Sequence, residues 1–191
     1  RSSDLTNPHS WGFPTTDAVG YPIVIDWATS VVAMGRVQQL LREGKQLPPN
    51  AAVDINGQPT TDPAQAKYLI PFGAHKGYGL ALLVDLFAGQ LSNAAYLTHV
   101  KSWVDAPDEP QNLGHFFILI DTQRLGASEW LAQRMSDFAA ILHDSPPVEA
   151  DKPVLVPGQI ELAKMERQRR EGVVLDPAVL ALLYKYAAVA P

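Results

Sequence analysis

The chain has 191 residues, 47% of them hydrophobic and 18% charged, with a formal net charge of −5 and no cysteine. This composition excludes a disordered chain and leaves enough length for a real core. The acidic balance without a basic stripe excludes a typical nucleic-acid binder, and the lack of cysteine excludes disulfides, thiolate metal sites and a Cys nucleophile. No apolar run reaches the roughly 18 residues of a membrane span, so no membrane partner is expected, and the lack of cysteine fits a cytoplasmic protein.

The opening Arg1–Asp4 has no initiator Met and no signal-peptide pattern. It reads as a fragment, a processed chain or an expression scar. Residues 1–20 are rich in Pro, Ser, Thr and Gly and predict irregular structure. Tyr21–Asp26 (YPIVID) is short, apolar and β-branched, which predicts a buried strand ending in Asp26. A helix is expected from about Trp27 to Glu43, with Val31, Met34, Val37 (or Gln38) and Leu41 on one face and Gly44 as its stop.

Gln46–Asp62 is punctuated as a loop, in which Val53–Ile55 before Asn56-Gly57 predicts a short strand and turn. Pro63–Leu69 predicts a short helix capped by Asp62. The glycine-rich segment Phe72–Gly79 then leads into Leu80–Leu91, which predicts a buried helix. Asp105–Asn112 reads as an acidic loop. Gly114–Asp121 (GHFFILID) is the clearest strand in the chain. Ser128–His143 predicts an amphipathic helix, and Pro146–Asp151 a linker. Val154–Val156 and the Pro157-Gly158 turn precede a charged helix, Gln159–Glu171, ended by Gly172. Within it Lys164–Arg170 alternates with Glu166 and reads as a solvated face. Asp176-Pro177 caps a last helix reaching about Val189. The alternation of strands and helices predicts a mixed α/β (α+β) fold.

Two segments could carry chemistry. In Phe72–Gly79, Gly73, Gly77 and Gly79 permit close backbone approach. Lys76 falls where the next helix begins, a position that favours phosphate or carboxylate. The spacing is neither a P-loop nor GxGxxG, and on the residues alone a tight loop with a surface lysine is the preferred reading. In Val24–Ser30, Asp26 at a strand end could bind a ribose hydroxyl or simply cap the following helix. The histidines, His9, His75, His99, His115 and His143, have no metal-ligand spacing, and no metal site is expected. His99 and His143 read as surface residues, His115 as a satisfied core histidine within its strand. No GxSxG elbow occurs.

Taken together, four segments resemble the malate/L-lactate dehydrogenase type 2 family: Thr6-Asn7-Pro8; Val24–Ser30; Ala52–Asp54 with Gly57–Pro63; and Pro71–Leu80. Val156-Pro157-Gly158 before a charged helix resembles that family's late cofactor loop. The resemblance implies a non-Rossmann mixed sheet that binds NAD or NADP, with flanking helices in a second layer. It implies residues 1–150 as the cofactor-binding mixed-sheet domain and 151–191 as the late loop and helices. Implied cofactor contacts are Pro22, Ile23, Val24, Ile25, Asp26, Trp27, Ala28, His75, Lys76, Gly158, Gln159 and Ile160. Thr6 and Asn7 would border the substrate.

The implied activity is hydride transfer between a 2-hydroxy acid and a 2-oxo acid, in a homodimer or in a complex with a chain carrying the catalytic segment. The departures are specific. Leu5 stands where the family usually has Gly, Leu91–Ala95 replaces a Gly-rich turn, and Gln159-Ile160 is an uncommon pair. The family's catalytic His (in Ser-His-Gly) and its nearby Arg have no counterpart in these residues, and His9 does not match that segment. A different class therefore stands beside the enzyme: a non-catalytic or partner-dependent nucleotide-binding subunit.

Overall fold

The computed structural model describes residues 6–15, 19–103, 106–126 and 130–187. Leu5, Asp105, Ser128 and Val189, each singled out above, lie outside these. The chain forms two compact units: Arg1–Trp11 with Ile25–Leu125 (unit 1), and Gly12–Val24 with Gly126–Pro191 (unit 2). Strands and helices are both present, as expected for a mixed α/β fold.

Strands β1 (His9–Phe13) and β2 (Ile23–Trp27) pair in a two-stranded sheet. β1 corrects the irregular reading of residues 1–20. Its apolar Trp11 and Phe13 alternate with Ser10 and Gly12, a period-2 strand pattern, but Pro8 and Pro14 at its ends masked it. β2 matches the strand expected at Tyr21–Asp26. It is not buried throughout, because Val24 and Asp26 face solvent and only Ile23 is fully covered.

Helix α1 spans Met34–Arg42, not the Trp27–Glu43 expected. The backbone of residues 29–31 is committed elsewhere. Thr29 N–H donates to Thr6 O (2.8 Å), Val31 N–H to Ile70 O (2.9 Å), and Phe72 N–H to Thr29 O (3.0 Å). A β-bridge pairs Ser30 with Pro71. With these groups used across the chain, helical i→i−4 bonds cannot form there. α1 is followed by Glu43 at its C-cap and by Gly44 in the left-handed region at φ 64° as the stop.

β3 (Ala52–Val53) lies between antiparallel β4 (Pro59–Thr60) and β5 (Tyr68–Leu69), in register Ala52↔Thr60 and Ala52↔Leu69. Pro59 occupies an edge strand, where its missing N–H costs nothing. The helix expected at Pro63–Leu69 is instead a turn followed by β5. Asp62 does accept Ala64 N–H (2.9 Å), but Lys67 N–H donates to Val53 O (2.9 Å) and draws the chain into the sheet.

Met34, Val37, Leu40, Leu47, Ala51 and Ala52 form the core of unit 1, with Val32, Ala66 and Leu69 packed against it. The buried stripe of α1 therefore runs through Leu40 (4% exposed). Leu41, expected inside, is 43% exposed.

Helix α2 (His75–Val84) continues into a π-helical turn, Asp85–Gln90. The expected burial of Leu80–Leu91 is not met: Leu83, Leu86 and Leu91 are exposed. Gly114–Asp121 is not a strand either. It joins no ladder, and Phe116 to Ile120 are all exposed. Both segments have apolar surface that no described residue covers. His115 is exposed and so is not a core histidine.

In unit 2, α3 (Leu131–His143), α4 (Gln159–Glu171) and α5 (Pro177–Ala187) fall where expected. Gly172 ends α4 at φ 82°, and Ala178 N–H donates to Asp176 Oδ1 (2.8 Å) at the α5 cap. Lys164–Arg170 lies on the largely exposed α4. Among the described residues no helix is long and apolar enough to cross a membrane, and no cluster of His, Asp or Glu could hold a metal.

Candidate functional site

Hydrogen bonds join three of the sequence segments within unit 1. Thr29 is the hub. Its buried hydroxyl donates to Thr6 O (2.9 Å) and Asn7 O (3.1 Å), while its own carbonyl accepts Phe72 N–H. Asn7 sits at φ 40° and donates its Nδ2 to Ala81 O of α2 (2.9 Å). The left-handed backbone suits Asn, which tolerates that region better than most side chains. Thr6-Asn7, the segment after β2 and the glycine loop are thus held together by side-chain and backbone hydrogen bonds to backbone carbonyls.

Beside this junction lies a cavity of about 670 Å³, lined in part by Thr6, Asn7, His9, Asp26, Asp85 and His115. The expected substrate residues Thr6 and Asn7 and the expected cofactor residue Asp26 share it. Asp26 is exposed, and its carboxylate has no hydrogen-bond or ion-pair partner among the described residues. The helix that it was free to cap starts eight residues later, with Ala33 at the cap position. The capping reading of Asp26 is therefore excluded.

His75 and Lys76 do not line the cavity. They are the first two residues of α2 and both are exposed. The Lys76 ammonium has no ion-pair partner among the described residues. The loop ahead of them is tightly bent, with Gly73 at φ 58° and Ala74 at φ 52°. Gly77 is required by space, because a Cβ there would run into the Phe72 carbonyl.

Two aromatic contacts organise the strand pair. His9 stacks on Trp11 (6.1 Å, 8°) and on Trp27 (6.0 Å, 19°). Among the described residues, His9 Nε2 and Trp27 Nε1 are buried without a hydrogen-bond partner, a costly state for polar atoms.

In unit 2 the late loop meets the start of β2. Gly158 has φ 97°, and a Cβ on it would lie 2.8 Å from Pro22 O. Only glycine fits this approach. Gln159 Oε1 accepts Val156 N–H (3.2 Å) and lies 3.0 Å from His143 Nε2, so Gln159 braces the N-terminus of its own helix. Ile160 is exposed. Pro22, Ile23 and Val24 belong to this unit, and Ile25, Asp26, Trp27 and Ala28 to unit 1.

Sequence reasoning missed Asp85 and Lys101 as cavity residues and set His9 aside. Asp85 is a buried carboxylate whose two oxygens accept Leu97 N–H, each at 3.2 Å. The signal was available, since Asp85 is the one charge within Leu80–Leu91. Lys101 pairs with Glu109 (3.1 Å), a contact between residues too far apart for periodicity to link.

The family model for malate/L-lactate dehydrogenase matches residues 5–184. The chain belongs to the malate/L-lactate dehydrogenase family. L-sulfolactate dehydrogenase of Methanothermobacter thermautotrophicus is 34% identical over 177 residues, covering 92% of this chain and 49% of that protein. Hydroxycarboxylate dehydrogenase B of Escherichia coli is 34% identical over 176 residues, covering 90% of this chain and 47% of its own. Among solved structures, a dehydrogenase from Sinorhizobium meliloti superposes with a TM-score of 0.80 at 33% identity, over 93% of this chain and 51% of that one. The chain spans about half the length of the curated relatives it matches.

Proposed function

We propose that this chain carries the nicotinamide-cofactor site and one substrate wall of an oxidoreductase that interconverts a 2-hydroxy acid and a 2-oxo acid. The observation that carries this reading is the Thr29-centred junction in unit 1. It holds Thr6 and Asn7 beside the cavity that Asp26 also lines. Relatives named for sulfolactate and hydroxycarboxylate oxidation support the substrate class.

The residues suit a dinucleotide. A ribose needs a hydroxyl acceptor, and the Asp26 carboxylate has no other partner among the described residues. A pyrophosphate needs a cation near free N–H groups, and Lys76, in the first turn of α2, has no ion-pair partner among the described residues. In unit 1 the contacts would come from Ile25, Asp26, Trp27, Ala28, His75 and Lys76. In unit 2 they would come from Pro22, Ile23, Val24, Gly158, Gln159 and Ile160. The functional division proposed, mixed sheet in 1–150 and late loop and helices in 151–191, does not coincide with the two compact units.

NAD or NADP, when bound, supplies the hydride acceptor or donor. The chain's own residues then orient substrate and cofactor and exclude water. No Ser-His-Gly occurs in the 191 residues. The imidazole that exchanges the hydroxyl proton and the Arg that orients the carboxylate would come from a segment outside them, and the complete enzyme would be a homodimer or a complex. A second reading, a partner-dependent nucleotide-binding subunit, is favoured by the bare apolar segment after Gly114.

Turnover of NADH or NADPH with short 2-oxo acids tests the proposal, using the chain co-expressed with the part of the sulfolactate relative outside the match. Cofactor oxidation that depends on the 2-oxo acid is expected. A stable complex that binds cofactor yet oxidises none with any 2-oxo acid would shift the assignment to the second reading.

A further inference from the structure

The late loop of unit 2 is a closed turn. Pro157 fixes its own φ, and Gly158, at φ 97° and ψ −21°, takes the left-handed conformation that the third residue of a type II turn requires. Gln159 N–H donates back to Val156 O (3.1 Å) and closes the turn. The Gln159 side chain clasps the same four residues, its Oε1 accepting Val156 N–H (3.2 Å). Val156 is fully buried, and Gly158 packs against Pro22 O.

A second donor meets this clasp from another helix. His143, the last residue of α3, places Nε2 3.0 Å from Gln159 Oε1. Because Oε1 already accepts Val156 N–H, the amide is not turned to present its NH2 group there. An amide oxygen only accepts, so His143 Nε2 donates. A glutamine side chain has several rotamers of similar energy, and donors from two directions on Oε1 select one of them. A histidine at a helix C-terminus can also act through its charge on the helix dipole. The two roles differ in what they need: a donor in one, a cation in the other.

We infer that His143 is a positioning residue for the Val156–Gln159 turn, acting through the Gln159 amide oxygen. Its consequence for the cofactor rests on the reading proposed above, in which Gly158, Gln159 and Ile160 are cofactor contacts. Holding the turn then also holds that part of the cofactor site.

The test combines amide hydrogen exchange at Val156 with calorimetric titration of NADH, on the wild-type chain and on His143→Ala, His143→Gln and Gln159→Ala. His143→Ala should speed Val156 exchange by about 10-fold and weaken NADH binding by about 3- to 10-fold. His143→Gln keeps a donor at similar reach but carries no charge, and should restore both. The double variant His143→Ala, Gln159→Ala should be no worse than Gln159→Ala alone, because the two act as one unit. Val156 exchange that His143→Ala leaves unchanged would overturn the inference. So would His143→Gln behaving like the alanine variant, since charge would then be the role, or losses that add in the double variant. The expected response at Val156 in a chain that binds no NADH would support the clasp and contradict the cofactor reading instead.

Discussion

At the scale of single residues, Asp26 separates a functional role from a structural one. A cap contributes about 1 kcal/mol to its helix, but Asp26 stands well ahead of α1 and caps nothing. Asp26→Ala should leave the thermal midpoint unchanged while weakening NADH binding by about 1–3 kcal/mol. A lower midpoint with intact affinity would reverse the assignment. Gly158 is the opposite case, fixed by space and by a backbone that L side chains rarely adopt. Gly158→Ala should destabilise unit 2 by about 1–3 kcal/mol, read as an earlier denaturant midpoint. An unchanged midpoint would mean that the loop relaxes away from Pro22. The glycines and charges of the site were visible in the sequence as residue types. Thr29 was not, because its role is to join segments far apart in the chain.

At the scale of elements, local signals served well where local physics decides. Gln159–Glu171 was legible from its flanking glycines, and α5 from Asp176-Pro177. They failed where long-range bonds decide. The start of α1 is set by backbone partners at Thr6 and Ile70–Phe72, which no periodicity shows. Its buried face is set by the sheet beneath it. Leu40→Ala should therefore cost about 2–5 kcal/mol, whereas Leu41→Ala should stay within about 0.5–1 kcal/mol, by chemical denaturation. Equal losses would contradict the packing described. The strand expected at Gly114–Asp121 failed for a third reason: apolar composition marks a segment that can pair, but pairing needs a neighbour.

At the scale of the whole molecule, the family was legible because four short segments keep their order, although each alone is weak. The family match then covers 5–184, while the curated relatives are about twice as long. The cofactor site proposed for this chain has a direct consequence. Its recognition groups should work before the catalytic ones are supplied, since Asp26 and Lys76 lie in this chain and neither has another partner among the described residues.

Calorimetric titration of NADH and NADPH into the purified 191-residue chain, beside Lys76→Ala, is the most direct measurement. Saturable one-to-one binding is expected, weakened by about 1–3 kcal/mol in the variant with no change in thermal midpoint. Absence of binding to this chain, or binding that Lys76→Ala leaves untouched, would contradict the cofactor site proposed for it.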